Sequence, residues 1–279
     1  MDSILICTDL DRTLLPNGPQ PESPNARTLF AKVVSRPEVQ LAFVSGRRLA
    51  LQTAAIKEFD LPTPDFIVGD VGASIYQASE DGQWVEESSW HDQLATTWNH
   101  QTWRDFAPLL NDIPGIELQD EEAQSDHKLS YNIESLSDQT RILTEVCERL
   151  DKQKIAAQLI WSVDETVPMG LLDVMAPGAT KRHAVEHVIE LSGVPKKRVL
   201  FAGDSGNDLP ILVSAFPSVL VANATPEFRA EASKAAEAAG NGDQLHLAQG
   251  GLLGMNGCYA AGILEGLVHF LPETAAILH

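Results

Sequence analysis

Directly after the apolar run SILICT the chain places two carboxylates two residues apart, in Asp9-Leu10-Asp11-Arg12-Thr13. Ionised side by side, such a pair repels by a few kcal/mol at an effective dielectric near ~20. Two arrangements relieve that repulsion. Either the acids accept backbone N–H groups in a turn that ends the strand, or a hard cation joins them. Mg²⁺ suits the second, because it takes oxygen ligands and commonly uses only a couple of carboxylates beside water and phosphate.

Three more stretches carry groups of the same kind. Val44-Ser45-Gly46-Arg47 follows the apolar run VQLAF and precedes a helical pattern, so its hydroxyl and N–H groups read either as a phosphate cradle or as an ordinary helix cap. Lys181 and Arg182 open the pattern TKRHAVEHVIELSG, in a first turn where the helix dipole disfavours cations by about 1 kcal/mol or less. A bound anion would explain them there, as would simple solvation at the surface. Gly203-Asp204-Ser205-Gly206-Asn207-Asp208 follows RVLFA and gathers two acids and an amide in a glycine-rich turn. That set is oxygen-rich without EF-hand spacing.

The elements that must position these groups are legible. SILICTDL, VQLAFVSG, DFIVGDVG, RVLFAGD and SVLVAN are unalternated Val/Ile/Leu runs, the pattern of strands buried on both faces in a parallel sheet. Helical patterns lie between them, in NARTLFAKVVS, RLALQTAAIKEF and TKRHAVEHVIELSG, the last ending at Gly193. Strand and helix in alternation predict a doubly wound, Rossmann-like α/β core. In such folds ligands bind outside the carboxyl ends of the strands, where all four stretches fall.

The alternation breaks between about Glu86 and Met175. There the sequence predicts two long helices, around DQLATTWNHQTWRDFAPLL and SDQTRILTEVCERL, with strands at HKLSYNI, AAQLIWSV and GLLDVMA. This predicts a smaller α+β domain, residues 86–175, inserted into a core of residues 1–85 and 176–279. Leu94, Trp98, Phe106 and Leu110 fall near one helix face, which makes Trp98 a core residue rather than a sugar platform.

Composition bounds the partners. The chain of 279 residues carries 39 acidic and 20 basic side chains, a formal charge of -19, which repels nucleic acid and anionic membrane surfaces. Three dispersed cysteines with no CxxC spacing argue against a disulfide framework or zinc site. No apolar stretch approaches the ~20 residues that span a bilayer, and the amino-terminal sequence lacks a basic leader. The expectation is a cytoplasmic protein acting on a small molecule.

The four stretches in this order, TDLDRTLL, VSGR, a lone lysine and GDSGND, resemble the haloacid dehalogenase superfamily of phosphatases. The resemblance implies that Asp9 is a nucleophile forming an aspartyl phosphate and Asp11 a general acid and base. It further implies Mg²⁺ held by Asp9, the carbonyl of Asp11, Asp204 and Asp208, with Ser45, Gly46, Arg47, Lys181 and Asn207 on the phosphate. The α+β insertion is similar to the large cap of subfamily IIB. Within it DHKLSYNI, LLDVMAPGATK and, after it, YAAGILEGLVHF resemble the sucrose-phosphate phosphatases. That likeness implies a phosphosugar substrate, sucrose 6-phosphate first, with His127 and Lys128 as sugar or phosphate contacts, and association with a sugar-phosphate synthase as a partner. Solvent exposure of that strand pair is the other reading.

Three positions depart from the family pattern. Gly72-Ala73-Ser74 lacks a carboxylate usual after the third core strand, Arg12 replaces a smaller neutral residue, and Ser45 stands where threonine is frequent. The serine leaves phosphate binding intact, while the first two leave mannosylfructose phosphate, another disaccharide phosphate or an osmolyte phosphate open as substrate. A phosphosugar mutase and a noncatalytic sugar- or partner-binding protein are the rival functions. The seven histidines other than His127 show no metal spacing and receive no role.

Overall fold

The computed structural model describes residues 2–79, 81–164 and 169–278. In chain order its strands are β1 (Ile4–Thr8), β2 (Val39–Val44), β3 (Phe66–Gly69), β4 (Ser74–Ala78), β5 (Trp84–Glu86), β6 (Ile116–Leu118), β7 (Lys128–Ile133), β8 (Gln158–Asp164), β9 (Met169–Met175), β10 (Val199–Gly203), β11 (Ser218–Leu220) and β12 (Leu245–Leu247). The helices used below are α1 (Ala26–Val34), α2 (Leu49–Glu58), α3 (Ser88–Thr97), α4 (Trp103–Leu110), α5 (Gln139–Lys152), α6 (Lys181–Ser192), α7 (Leu209–Leu212), α8 (Pro226–Ala238) and α9 (Ala260–Phe270).

The chain divides into two compact units, Met1–Gly72 with Tyr76–Val85 and Lys181–His279, and Ala73–Ile75 with Glu86–Thr180. An eight-stranded sheet runs in the order β12-β11-β10-β1-β2-β3-β4-β5, and the pairs from β12 through β3 are parallel. Each residue of β1 and β10 is buried, as the unalternated runs require. Chain order reverses between β1, β2 and β10, so the loops after β1 and β10 leave neighbouring strands at one sheet edge. Phe30, Phe43, Leu200, Val219 and Leu264 belong to the apolar core of this sheet. α9 packs on α1, β10 and β11. It comes so near that a Cβ on Gly266 would stand 2.5 Å from the Cβ of Val219.

The second unit holds an antiparallel sheet in the order β6-β7-β9-β8. Leu129, Tyr131 and Ile133 of β7 alternate with Lys128, Ser130 and Asn132, and the first set joins Trp90, Phe106 and Val146 among the buried side chains. The unit continues past the expected end at Met175, since the N–H of Ala176 still donates to His127 O at 3.0 Å.

One expected helix is two. The pattern over DQLATTWNHQTWRDFAPLL breaks between α3 and α4 because Asn99 and His100 take left-handed φ of 52° and 61°. Thr102 then caps α4 through a reciprocal box with Asp105, a signal present in the sequence as Thr-x-x-Asp. The apolar face is nonetheless shared. Leu94, Trp98, Phe106 and Leu110 are all buried, and Trp98 meets Phe106 edge-on at 4.6 Å while donating its indole N–H to Ala156 O at 2.9 Å. Among the described residues no helix is long and apolar enough to cross a membrane.

Because α9 has no room for a methyl group against Val219, Gly266→Ala is expected to lower the unfolding free energy by about 1–3 kcal/mol. Urea denaturation followed by circular dichroism measures it, and an unchanged midpoint would contradict this packing.

Candidate active site

β1 ends at Thr8, whose hydroxyl donates to Asp9 O at 2.8 Å, while the Asp9 N–H donates across to Ala202 O of β10 at 2.9 Å. Asp9 is thereby fixed at the end of β1 and is only 5% exposed. The glycine-rich turn after β10 is built around Asp208, whose Oδ2 accepts the N–H groups of Asp204 at 3.2 Å and Ser205 at 3.4 Å. A Cβ on Gly203 would lie 2.5 Å from that same oxygen, so glycine is what lets the turn fold back onto Asp208. Carboxylate oxygens of Asp9, Asp204 and Asp208, all buried, lie within 4.8 Å of one another.

Lys181 is the first residue of α6 and is 2% exposed. Its Nζ donates to Asp9 Oδ1 and Asp208 Oδ1, each at 2.9 Å, and lies 3.4 Å from Asn207 Oδ1. The acids therefore account for a cation at a helix start, and the solvated-surface reading of Lys181 is overturned. Arg182 matches that reading, exposed and paired with Glu186 one turn on.

Burial pushes the Asp9 carboxyl up to about 8, with Lys181 pulling down and Asp208 and Asp204 adding to the rise. Asp204 is likewise raised to about 6 by burial and then by Asp208, against the pull of Arg12. For Lys181 burial opposes the charge, but Asp208 and Asp9 outweigh it and hold the ammonium above its ordinary range. Lys181 and the partly exposed Arg12 leave these three acids short of positive charge. A compact, oxygen-only, electron-rich set of this kind fits a hard divalent cation, and Asp9, Asp204 and Asp208 are the side chains that could hold it.

Asp11 stands apart from the three acids. Its carboxylate is gripped by Arg47, with Nε to Oδ2 at 2.8 Å and Nη2 to Oδ1 at 2.6 Å, and Asn17 Nδ2 donates to Oδ1 at 2.7 Å. The bond from Asp11 in turn holds the Arg47 guanidinium above its usual range. Ser45 is buried at the end of β2, and its Oγ accepts the Arg47 N–H at 3.2 Å. α2 begins only at Leu49, after Arg48, so neither a helix-start cradle nor a helix cap forms at Ser45 itself. Gly46 has no backbone or steric need for glycine, since a Cβ there would sit 3.8 Å from Val71 Cγ2. Behind this turn Asp70 and Val71 take φ of 52° and 59°, and the Val71 N–H donates to Ser45 O at 3.2 Å.

Sequence reasoning missed Asn17, Asn223 and the partners of Arg12. Arg12 Nε lies 3.4 Å from Asp204 Oδ2, and Asn223 Nδ2 donates to Arg12 O at 2.6 Å. Asn223 had one signal, its place at the end of the run SVLVAN beside strands that all end in site residues. Two histidines given no role do have carboxylate partners, His91 with Asp126 at 3.4 Å and His246 with Glu265 at 3.0 Å.

His127 and Lys128 lie in the second unit and are both buried, so the solvent-exposed reading of that pair is overturned. Neither ring nitrogen of His127 has a hydrogen-bond partner among the described residues, and its ring lies 4.7 Å from that of His91.

The profile of the family described as sucrose-6F-phosphate phosphohydrolase matches residues 2–271. The chain belongs to that family. It is therefore a phosphoric monoester hydrolase of the haloacid dehalogenase superfamily. A relative in Nitrosococcus oceani, described only as a HAD-like hydrolase, is 46% identical over 98% of this chain and 73% of its own length. The mannosylfructose-phosphate phosphatase of Agrobacterium fabrum is 27% identical over 80% of this chain and 84% of its own. Among solved structures the sucrose-phosphatase of Synechocystis, in complex with sucrose and phosphate, has a TM-score of 0.72 at 21% identity, covering 97% of this chain and 98% of that one. At that identity the likeness speaks for the fold, a Rossmann-like core with an additional antiparallel sheet, as the sequence predicts.

Removing the ammonium leaves two buried acids facing each other, so Lys181→Met is expected to cost about 3–5 kcal/mol of unfolding free energy at pH 7 in EDTA. Adding Asp9→Asn should restore a large part of it. Urea titration of the two single variants and the double variant measures the coupling, and strictly additive losses would contradict the ion pair.

Burial and then the neighbouring His91 push the His127 imidazole down to about 4, against Asp126. A depressed value favours the neutral ring in the fold, so its contribution is full above about 6.5 and drains away as pH falls toward 4. We expect His127→Asn to lose about 1–3 kcal/mol less than the parent between pH 7 and pH 4.5. Equal losses in paired urea titrations would refute it.

Proposed function

We propose that this hydrolase is a Mg²⁺-dependent phosphatase of a disaccharide phosphate, with sucrose 6-phosphate as substrate. The observation that carries the reaction is the buried Asp9 carboxylate, held by Lys181 beside two further acids at the ends of adjacent strands. The family match and the phosphatase relative support a phosphosugar ester.

In this reading Asp9 attacks phosphorus and the sugar oxygen leaves, giving an aspartyl phosphate. Asp11 gives its proton to that oxygen, then takes one from the water that hydrolyses the acyl phosphate. Both oxygens of Asp11 face donors, so Arg47 has to release at least one before a proton sits there. The phosphate dianion offers Arg47 an alternative bidentate partner, which ties substrate arrival to the freeing of Asp11. Lys181 favours the ionised form of Asp9 against its burial and aims it through the cycle, and Asn207 and Ser45 line the phosphate. When bound, Mg²⁺ would supply positive charge to the equatorial phosphoryl oxygens, held by Asp9, Asp204, Asp208 and the Asp11 carbonyl. His127 and Lys128 are the sugar-binding groups of this proposal, a role that two unpartnered, buried ring nitrogens support.

Release of inorganic phosphate from sucrose 6-phosphate, mannosylfructose phosphate and simple hexose phosphates, each in MgCl₂ and in EDTA, tests the reading. Turnover is expected to be greatest on sucrose 6-phosphate, to need the metal and to fall by about 10³-fold or more in Asp9→Asn. Lys128→Ala should raise KM with little change in kcat. A metal-independent activity, an active Asp9→Asn variant, or isomerised sugar phosphate without free phosphate would each overturn it.

A further inference from the structure

Arg12 occupies a conformation that most residues avoid. Its φ of 57° lies in the left-handed region, which costs a residue with a Cβ roughly 1–2 kcal/mol and glycine almost nothing. The surroundings hold it there from both sides. Its N–H donates to Asn17 Oδ1 at 2.8 Å, and its carbonyl accepts from Asn223 Nδ2 at 2.6 Å. Asn223 is buried and in turn accepts the N–H of Tyr259 at 2.9 Å, a residue itself at φ 55°, ψ -134°. The Tyr259 hydroxyl donates to Gln20 O at 3.1 Å and closes the frame around the turn.

What this frame delivers is a charge at a chosen place. The Arg12 guanidinium lies beside Asp204 Oδ2 with its side chain about one-third exposed, 31%, so it faces both the acid and solvent. Lys181 takes Asp9 and Asp208, Arg47 takes Asp11, and Arg12 takes Asp204. Lys181 is enclosed and fully engaged. Arg12 is the partly open cation on an acid of the cluster, and its planar fork suits phosphate oxygens as well as carboxylate.

We infer that Arg12 is a positioning residue that couples divalent-cation binding to phosphate binding. The inference rests on the reading of the three-acid cluster as the metal site. Without an anion, Arg12 neutralises Asp204 and competes with the cation for it. A phosphate dianion on the cation lies next to that carboxylate, and Arg12 turns from Asp204 to a phosphate oxygen. Asp204 then gives its charge wholly to the cation. Each ligand tightens the other by the same factor, and the charge of the incoming group, rather than the sugar, closes the site.

Isothermal titration with MgCl₂, with and without saturating inorganic phosphate, tests this on the parent chain, Arg12→Gly and Arg12→Lys. Glycine takes the left-handed backbone without strain, so the charge is removed while the fold is spared. Phosphate is expected to tighten Mg²⁺ about 10-fold in the parent, within the usual range for coupled sites. Arg12→Gly should bind Mg²⁺ several-fold more tightly without phosphate and respond to phosphate several-fold less than the parent. Arg12→Lys should keep most of the coupling. Unchanged or weaker Mg²⁺ binding in Arg12→Gly, or a response equal to the parent's, overturns the inference and leaves the metal site standing. A parent chain that takes up no Mg²⁺ in either condition overturns the metal site as well.

Discussion

A lysine ammonium with almost no access to water lies between two carboxylates, and the first unit is organised around that contact. Asp9 comes from the end of the first strand, Asp208 from the turn after β10 and Lys181 from the start of a helix that follows the whole inserted unit. No two of these segments are local in sequence. A buried charge without its partner costs several kcal/mol, so the contact forms only when the parallel sheet has set β1 and β10 side by side. The sheet positions the acids, and the ammonium makes their closeness tolerable.

Around that centre each of the four acids has a cation partner, in three different settings. Lys181 is enclosed and serves two acids, Arg47 holds Asp11 with a two-pronged grip, and Arg12 sits at the solvent side of Asp204. The raised carboxyls of Asp9 and Asp204 mark the remaining imbalance. A site in this condition is poised for something that brings both signs of charge at once, which a metal-bound phosphate ester does.

Much of this was legible in the chain because burial on both faces writes itself plainly. β1, β2, β3, β10 and β11 are unbroken apolar runs, and the residues just past them are Asp9, Ser45, Asp70, Asp204 and Val221 with Asn223 close behind. The three-residue edge strands β5, β6 and β12 carry no such signal, since they are half-exposed and too short for a run. The helix over DQLATTWNHQTWRDFAPLL was misread because the apolar spacing survives the break at Asn99 and His100 while the backbone does not. In the site, acids and lysine were readable from motif spacing. The pairings Arg47–Asp11 and Arg12–Asp204 were not, because partners 36 residues apart or farther leave no periodicity to detect. Nor does any local rule announce that an arginine would be held at a positive φ.

The asparagine clasp on the Arg12 carbonyl joins residues 211 positions apart, and this sets an order of events during synthesis. At typical elongation speeds the ribosome needs on the order of 10–40 s to travel that distance. Throughout that interval the turn after β1 has Asn17 on the Arg12 N–H but nothing on the Arg12 carbonyl, since Asn223 and Tyr259 are still to be made. The frame around one of the earliest-made turns is therefore closed only by residues made late in the chain.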